Sequence, residues 1–107
     1  LLNMHLSFFL LCFVATFAAS YDVTLYTDVD WKGDTYDIED DECYNIPHKY
    51  LKKDDGVSGI WTKGTCVYVY DRRDCKGSWI MMHSRSPHHG NLGKLGFNDR
   101  AMSIGPC

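Results

Sequence analysis

The 107-residue chain repeats itself at a spacing of 44, and that self-similarity restricts the available architectures more than any other feature of the sequence. With a shift of 44, Val23 falls on Val67, Tyr26 on Tyr70, Asp30 on Asp74, Lys32 on Lys76, Gly33 on Gly77, Asp55 on Asp99 and Ile60 on Ile104. Asp54 falls on Asn98, and no insertion is needed. A gap-free period of this kind means two copies of one supersecondary unit, neither of which can bury its apolar face alone. Propeller blades have a similar period, but two copies cannot close a ring that needs about four or more. The units, about 21–62 and 65–107, must therefore pack against each other in one domain, 21–107.

Each unit reads as strands. Val23–Tyr26 and Cys66–Tyr70 are short β-branched and aromatic runs, each followed by a polar connection and then Gly33 or Gly77. Asp34–Ile38 and Ser78–Met82 continue from those glycines, the first alternating polar and apolar as a half-buried strand does. Residues Glu39 to Lys53 and His83 to Gly96 carry Pro47 and Pro87 among charges or glycines, so they read as loops with at most a short strand or one helical turn. The last strands are Val57–Trp61 and Ala101–Ile104. Two such hairpin-plus-return units predict an all-β fold, a two-sheet Greek-key sandwich whose inner faces share one core.

The first twenty residues hold none of the 14 Asp and Glu or the 11 Lys and Arg. An apolar run from Leu6 to Ala15, ending in Ala18–Ala19–Ser20, reads as a secretory signal over 1–20 with its start at Met4 and cleavage before Tyr21. It is too short to span a bilayer. The expected location is extracellular. Cys12 falls in the leader, and Cys43, Cys66, Cys75 and Cys107 form an even set that predicts two disulfides, with three pairings open. Bridges or a bound ion suit a small exported domain with a modest core.

Several function classes find little support. The net charge of −3 and scattered Lys and Arg argue against nucleic acid, and no second apolar run suggests a membrane span. His83, His88 and His89 have no nearby thiol and read as a solvated loop rather than a zinc site. A sandwich filled by its own side chains has little room for a catalytic pocket, so His48, Asp54, Asp55 and Ser58 read as turn chemistry and the chain as a non-enzyme. Trp31, Trp61 and Trp79 read as core or hairpin-cover aromatics. The basic pairs Lys52–Lys53 and Arg72–Arg73 leave a second reading open, a secreted proteinase inhibitor or a defence or venom effector acting on an extracellular protein. The oligomeric state is left open.

Two motifs, each present twice, resemble the βγ-crystallin family, and the resemblance covers essentially all of Val23 to Cys107. The first is a folded hairpin with an aromatic, four residues, an aromatic, one residue and glycine, here Tyr26-Thr-Asp-Val-Asp-Trp31-Lys-Gly33. Glycine accepts the positive φ where the hairpin folds over the sheet, and the aromatics cover it. The second copy, Tyr70-Asp-Arg-Arg-Asp-Cys75-Lys-Gly77, has cysteine at the second aromatic position, which suggests a disulfide in place of the ring. The second motif is a pair of Asn or Asp residues, two of any type, Ser or Thr and commonly Ser, before the last strand. It appears as Asp54-Asp55-Gly56-Val57-Ser58-Gly59 and Asn98-Asp99-Arg100-Ala101-Met102-Ser103.

The resemblance implies calcium sites in which this loop of one unit meets a hairpin carbonyl of the other. That chemistry suits Ca²⁺, which takes six to eight hard oxygens. The implied first site has Asp54, Asp55, Ser58 and the carbonyl near Asp71. The second has Asn98, Asp99 and the carbonyl near Thr27, and is weak or lost because the soft thioether of Met102 stands where the hydroxyl should be. The crystallin-type sheet also implies a Cys66–Cys107 bridge, which leaves Cys43–Cys75, with Cys43–Cys107 as the alternative. The function implied is a secreted, disulfide-stabilised calcium-binding module. Lens-like packing is disfavoured by the leader and the bridges.

Overall fold

A computed structural model describes residues 20–51, 56–86 and 89–107. Apart from Ser20, the expected leader lies outside the described residues, as do Asp54, Asp55, Lys52, Lys53 and His88. The chain forms β1 (Tyr21–Asp28), β2 (Lys32–Asp40), β3 (Tyr44–Asn45), β4 (Gly59–Trp61), β5 (Val67–Arg72), β6 (Lys76–Met82) and β7 (Ser103–Pro106), with single 3-10 turns at His48–Tyr50, Arg73–Cys75 and Leu92–Leu95. These make two antiparallel sheets, β2-β1-β4 and β3-β7-β5-β6. The Greek-key sandwich expected from the repeat is present.

Alternation decides which face is buried. Tyr21, Val23 and Leu25 of β1 point into the space between the sheets, as do Val67 and Val69 of β5, where they meet Ile38, Ile46, Ile60, Met82, Leu92, Phe97 and Ile104. Complete burial of one such aliphatic side chain stabilises the fold by about 1.5–3 kcal/mol. The same parity turns Trp61 and Trp79 outward, because their neighbours Ile60 and Ile80 face the core. Trp61 and Trp79 are 50% and 56% exposed, so the expectation that they were core or hairpin cover is corrected. The Lys63 ammonium sits 5.5 Å over Trp61, while Trp79 packs edge-on to Tyr68 with centroids 5.0 Å apart.

The units exchange their return segments. Strand β3 of the first unit pairs with β7 of the second, setting Tyr44 opposite Ile104 and Asn45 opposite Ser103. Reciprocally, the Ile60 N–H donates to the His89 carbonyl (2.8 Å) and the Leu92 N–H to the Ser58 carbonyl (2.8 Å). Each sheet is thus completed by the other unit's loop. Strand β4 starts at Gly59, two residues later than the sequence suggests, because the backbone of Val57 and Ser58 is already engaged. Val57 accepts the Asp99 N–H (3.1 Å), and the Ser58 N–H donates to Tyr26 (2.8 Å).

Both bridges tie this arrangement. Cys66–Cys107 closes the paired ends of β5 and β7 with Cα atoms 5.5 Å apart, and Cys43–Cys75 joins the first unit's return loop to the second unit's hairpin with Cα atoms 6.0 Å apart.

Candidate functional site

The two hairpins have the same backbone. Asp30, Trp31 and Gly33 have φ of 58°, 62° and 82°, and Asp74, Cys75 and Gly77, one repeat later, have 61°, 55° and 83°. Asp tolerates the left-handed region better than most residues, and glycine enters it freely. Gly33 has a second constraint, because a Cβ there would lie 2.9 Å from the Asp28 amide nitrogen. Different side chains close the two hairpins at equivalent places. Thr27 Oγ1 accepts the Asp34 N–H (2.8 Å), and Asp71 Oδ1 accepts the Ser78 N–H (2.8 Å).

The covers over the hairpins differ as well. Trp31 stacks edge-on to Tyr26 with centroids 5.4 Å apart and also meets His89 at 6.4 Å. A Cβ on Gly90 would come within 3.1 Å of that indole, so the ring packs closely on the exchanged loop. In the second unit Cys75 stands where Trp31 does, and its bridge to Cys43 takes the place of the ring. Asn45 strengthens that closure. Its Nδ2 donates to Asp74 Oδ1 (2.9 Å) and its Oδ1 accepts the Asp74 N–H (2.7 Å). Ser103 accepts the Cys75 N–H (3.0 Å) and donates to the Arg72 carbonyl (2.5 Å). The serine at the last position of the second motif is therefore a hairpin tie. Gly59, its counterpart in the first unit, instead faces the His89–Gly90 backbone, where a Cβ would be 3.3 Å from the Gly90 carbonyl.

The motif loops meet each other at the end of the sandwich beside the hairpins. Ser58 is buried, and its N–H donates to Tyr26, next to Thr27. Asp99, in the left-handed region at φ 57°, donates its N–H to Val57 and brings its carboxylate over Gly56. A Cβ on Gly56 would lie 2.8 Å from the Asp99 Cα and closer still to Asp99 Oδ1. Asp99 Oδ2 accepts from Asn98 Nδ2 (3.0 Å). Ser58, the Thr27 end of β1 and Asp99 thus come together, joining members of both expected ligand sets. Asp71 lies against the second loop, where its Oδ2 accepts from Arg100 Nη2 (2.9 Å) and the neighbouring Tyr70 carbonyl accepts the Met102 N–H (2.8 Å). The Arg100 guanidinium holds the Asp71 carboxyl below the usual carboxylate range, with the Ser78 N–H acting in the same direction.

Among the described residues, no three His, Cys, Asp or Glu side chains group closely enough to hold a metal ion. An ion at the Ser58–Asp99 junction would depend on hydroxyl and carbonyl oxygens for most of its shell. The histidine loop is not simply solvated: His89 packs on Trp31, and its Nε2 is shielded from solvent with no hydrogen-bond partner among the described residues. His83 Nδ1 accepts the Arg85 N–H (3.1 Å). Of the basic pair on the second hairpin, Arg73 donates to the Ile46 carbonyl (3.3 Å) and Arg72 is exposed. Among the described residues no helix is long and apolar enough to cross a membrane.

No family profile matches the sequence, and no curated protein matches it. Solved structures do. A βγ-crystallin from Ciona intestinalis is 20% identical with a TM-score of 0.58, covering 80% of this chain and 99% of its own. A βγ-crystallin from an archaeon is 14% identical with a TM-score of 0.62, covering 83% of this chain and 100% of its own. A βγ-crystallin domain from Clostridium beijerinckii is 22% identical with a TM-score of 0.57, covering 78% and 94%.

Proposed function

We propose, from the premise that this chain carries the βγ-crystallin fold, that it is a secreted, disulfide-stabilised module that binds one calcium ion and catalyses no reaction. The observation that carries the reading is the Asp99 carboxylate brought over Gly56 beside the buried Ser58 and the Thr27 end of β1. A carboxylate, a hydroxyl and adjacent backbone carbonyls are the hard oxygen donors that Ca²⁺ takes. Thr27 and Gly56 would supply carbonyls and Ser58 its hydroxyl, whereas Asp54 and Asp55, the carboxylates expected from the sequence, lie outside the described residues. With few carboxylates the site belongs to the weak extracellular class, with a dissociation constant of ~10⁻⁴–10⁻³ M. Export is supported by the uncharged apolar leader and by two bridges of the kind that persist in oxidising compartments.

Thermal unfolding of the oxidised protein in EDTA and in calcium tests the function. At about ten times its dissociation constant, calcium adds roughly 1.4 kcal/mol, a rise of about 6–11 °C in melting temperature for a domain of this size. Ser58→Ala and Asp99→Asn abolish that rise. A parent protein that melts identically with and without calcium sinks the reading. N-terminal sequencing of material exported from eukaryotic cells tests the location, with Tyr21 expected as the first residue.

A further inference from the structure

We propose that the second motif loop carries its own cation: the guanidinium of Arg100 joins this loop to the second hairpin at Asp71, so that the loop is closed without a metal. That the first loop alone takes an ion rests on the calcium reading above, whereas the Arg100 closure does not.

The repeat isolates what has changed between the units. Position 27 corresponds to 71 and position 56 to 100, so the pair Thr27 and Gly56 becomes Asp71 and Arg100. The two exchanges are complementary. Thr27 and Asp71 both cap the residue that follows the hairpin glycine, using Oγ1 for Asp34 and Oδ1 for Ser78. A carboxylate has a second oxygen where a hydroxyl has none, and Asp71 Oδ2 uses it to accept from Arg100 Nη2 at 2.9 Å. The guanidinium is held on two further sides. Nη1 donates to the Gly96 carbonyl at 2.6 Å, and the Phe97 ring lies 4.8 Å beneath it. Planar, multidentate donors suit this pattern of carboxylate, carbonyl and aromatic face.

The same residues argue against a metal at this loop. The Asp71 carboxylate is already held by Arg100, Arg72 adds positive charge there, Met102 removes the hydroxyl that Ser58 provides in the first loop, and Asp99, the one carboxylate between Asn98 and Ser103, is turned to Gly56 of the first loop. The two loops therefore join the same kinds of segment by different means.

A double-mutant cycle over Arg100→Gln and Asp71→Asn, read by thermal unfolding in EDTA, tests the closure. The two changes are expected to be non-additive by roughly 2–5 °C in melting temperature, and the non-additivity is expected to shrink in 1 M NaCl as screening shortens to about 3 Å. Packing of the Arg100 stem on Phe97 would survive both the loss of Asp71 and the salt. Arg100→Lys, which keeps the charge, recovers part of the loss. Additive effects, or a coupling unchanged by salt, overturn the proposal. Calcium titration by calorimetry on the parent supplies the second readout, and two bound ions would also overturn it. A parent that binds no calcium refutes the function proposed above while leaving the cycle to decide the closure.

Discussion

Removing the Cys43–Cys75 bridge perturbs both the second hairpin and the exchange of loops between the units. The bridged residues are separated by 32 positions in the chain. Closing a loop of that length withdraws about 12 cal/mol/K of entropy from the unfolded chain, or roughly 3.7 kcal/mol at 25 °C. The native side supports a cost near that figure, because the bridge also covers β7: a Cβ on Gly105 would stand 3.2 Å from Cys75 Sγ. Cys43→Ala/Cys75→Ala is therefore expected to lose about 3–4 kcal/mol, a large part of the roughly 5–15 kcal/mol that holds an ordinary domain together. In urea, with a slope of about 1–2 kcal/mol/M, the midpoint falls by roughly 2–4 M, and the melting temperature falls by about 15–30 °C. A second variant separates cross-link from cover. Cys43→Ala/Cys75→Trp restores the ring that the first unit has at Trp31 and is expected to recover about 1 kcal/mol of the loss. A double-alanine variant that loses less than about 1 kcal/mol by urea unfolding refutes the reasoning.

The junction of the loops makes Gly56→Ala informative, since the new Cβ would stand 2.8 Å from the Asp99 Cα and nearer still to its carboxylate. Overpacking there is expected to cost about 1–3 kcal/mol and to remove the calcium response together, which chemical unfolding with and without calcium checks. Alkaline pH reports on Tyr21. Its phenol is buried, donates to the Glu42 carbonyl at 2.6 Å and is pushed up to about 12, chiefly by burial and then by Asp40 and Asp41. The folded state therefore holds its proton to higher pH than the unfolded chain. Its contribution is intact below about pH 10 and falls by up to about 1.4 kcal/mol per unit between pH 10 and 12. Urea midpoints measured across that range should fall in the parent and flatten in Tyr21→Phe.

The repeat made most of the fold legible because matched residues occupy matched backbone states. Gly33 and Gly77 or Asp30 and Asp74 need a rare φ that few residues accept, so the pattern survives even where side-chain chemistry has drifted. The cysteine at position 75 suggested a bridge in place of the ring, but a count of four cysteines leaves three pairings, and Cys43–Cys75 followed only from the resemblance to the crystallin-type sheet. The exchange of loops was harder to see. Strand β3 is two residues long, and the segment answering to it in the second unit bonds at His89 without forming a regular strand, so neither leaves an alternating pattern to read. The grouping of Ser58 with Asp99 depends on that exchange and was hidden with it. The outward turn of Trp61 and Trp79 could have been read from parity, because each follows or precedes an isoleucine that must face the core.

The units differ most where they close their hairpins, and two of those differences are paired. Trp31 and Gly90 in the first unit answer to Cys75 and its Cys43 partner in the second, as a ring lying on a loop answers to a covalent tie. Thr27 and Gly56 answer to Asp71 and Arg100, as an open cap answers to an ion pair. Gly59 answers to Ser103, which adds two hydrogen bonds where its counterpart makes way for backbone. In each case the second hairpin is closed by a covalent, ionic or hydrogen-bonded tie, while the first is covered by a half-exposed indole and has the Asp99 carboxylate over Gly56. A ligand-dependent gain in order should therefore fall on the first hairpin and its loop. Amide exchange at Ser58 and Asp30, compared with that at Met102 and Asp74, is the measurement in which this asymmetry would appear.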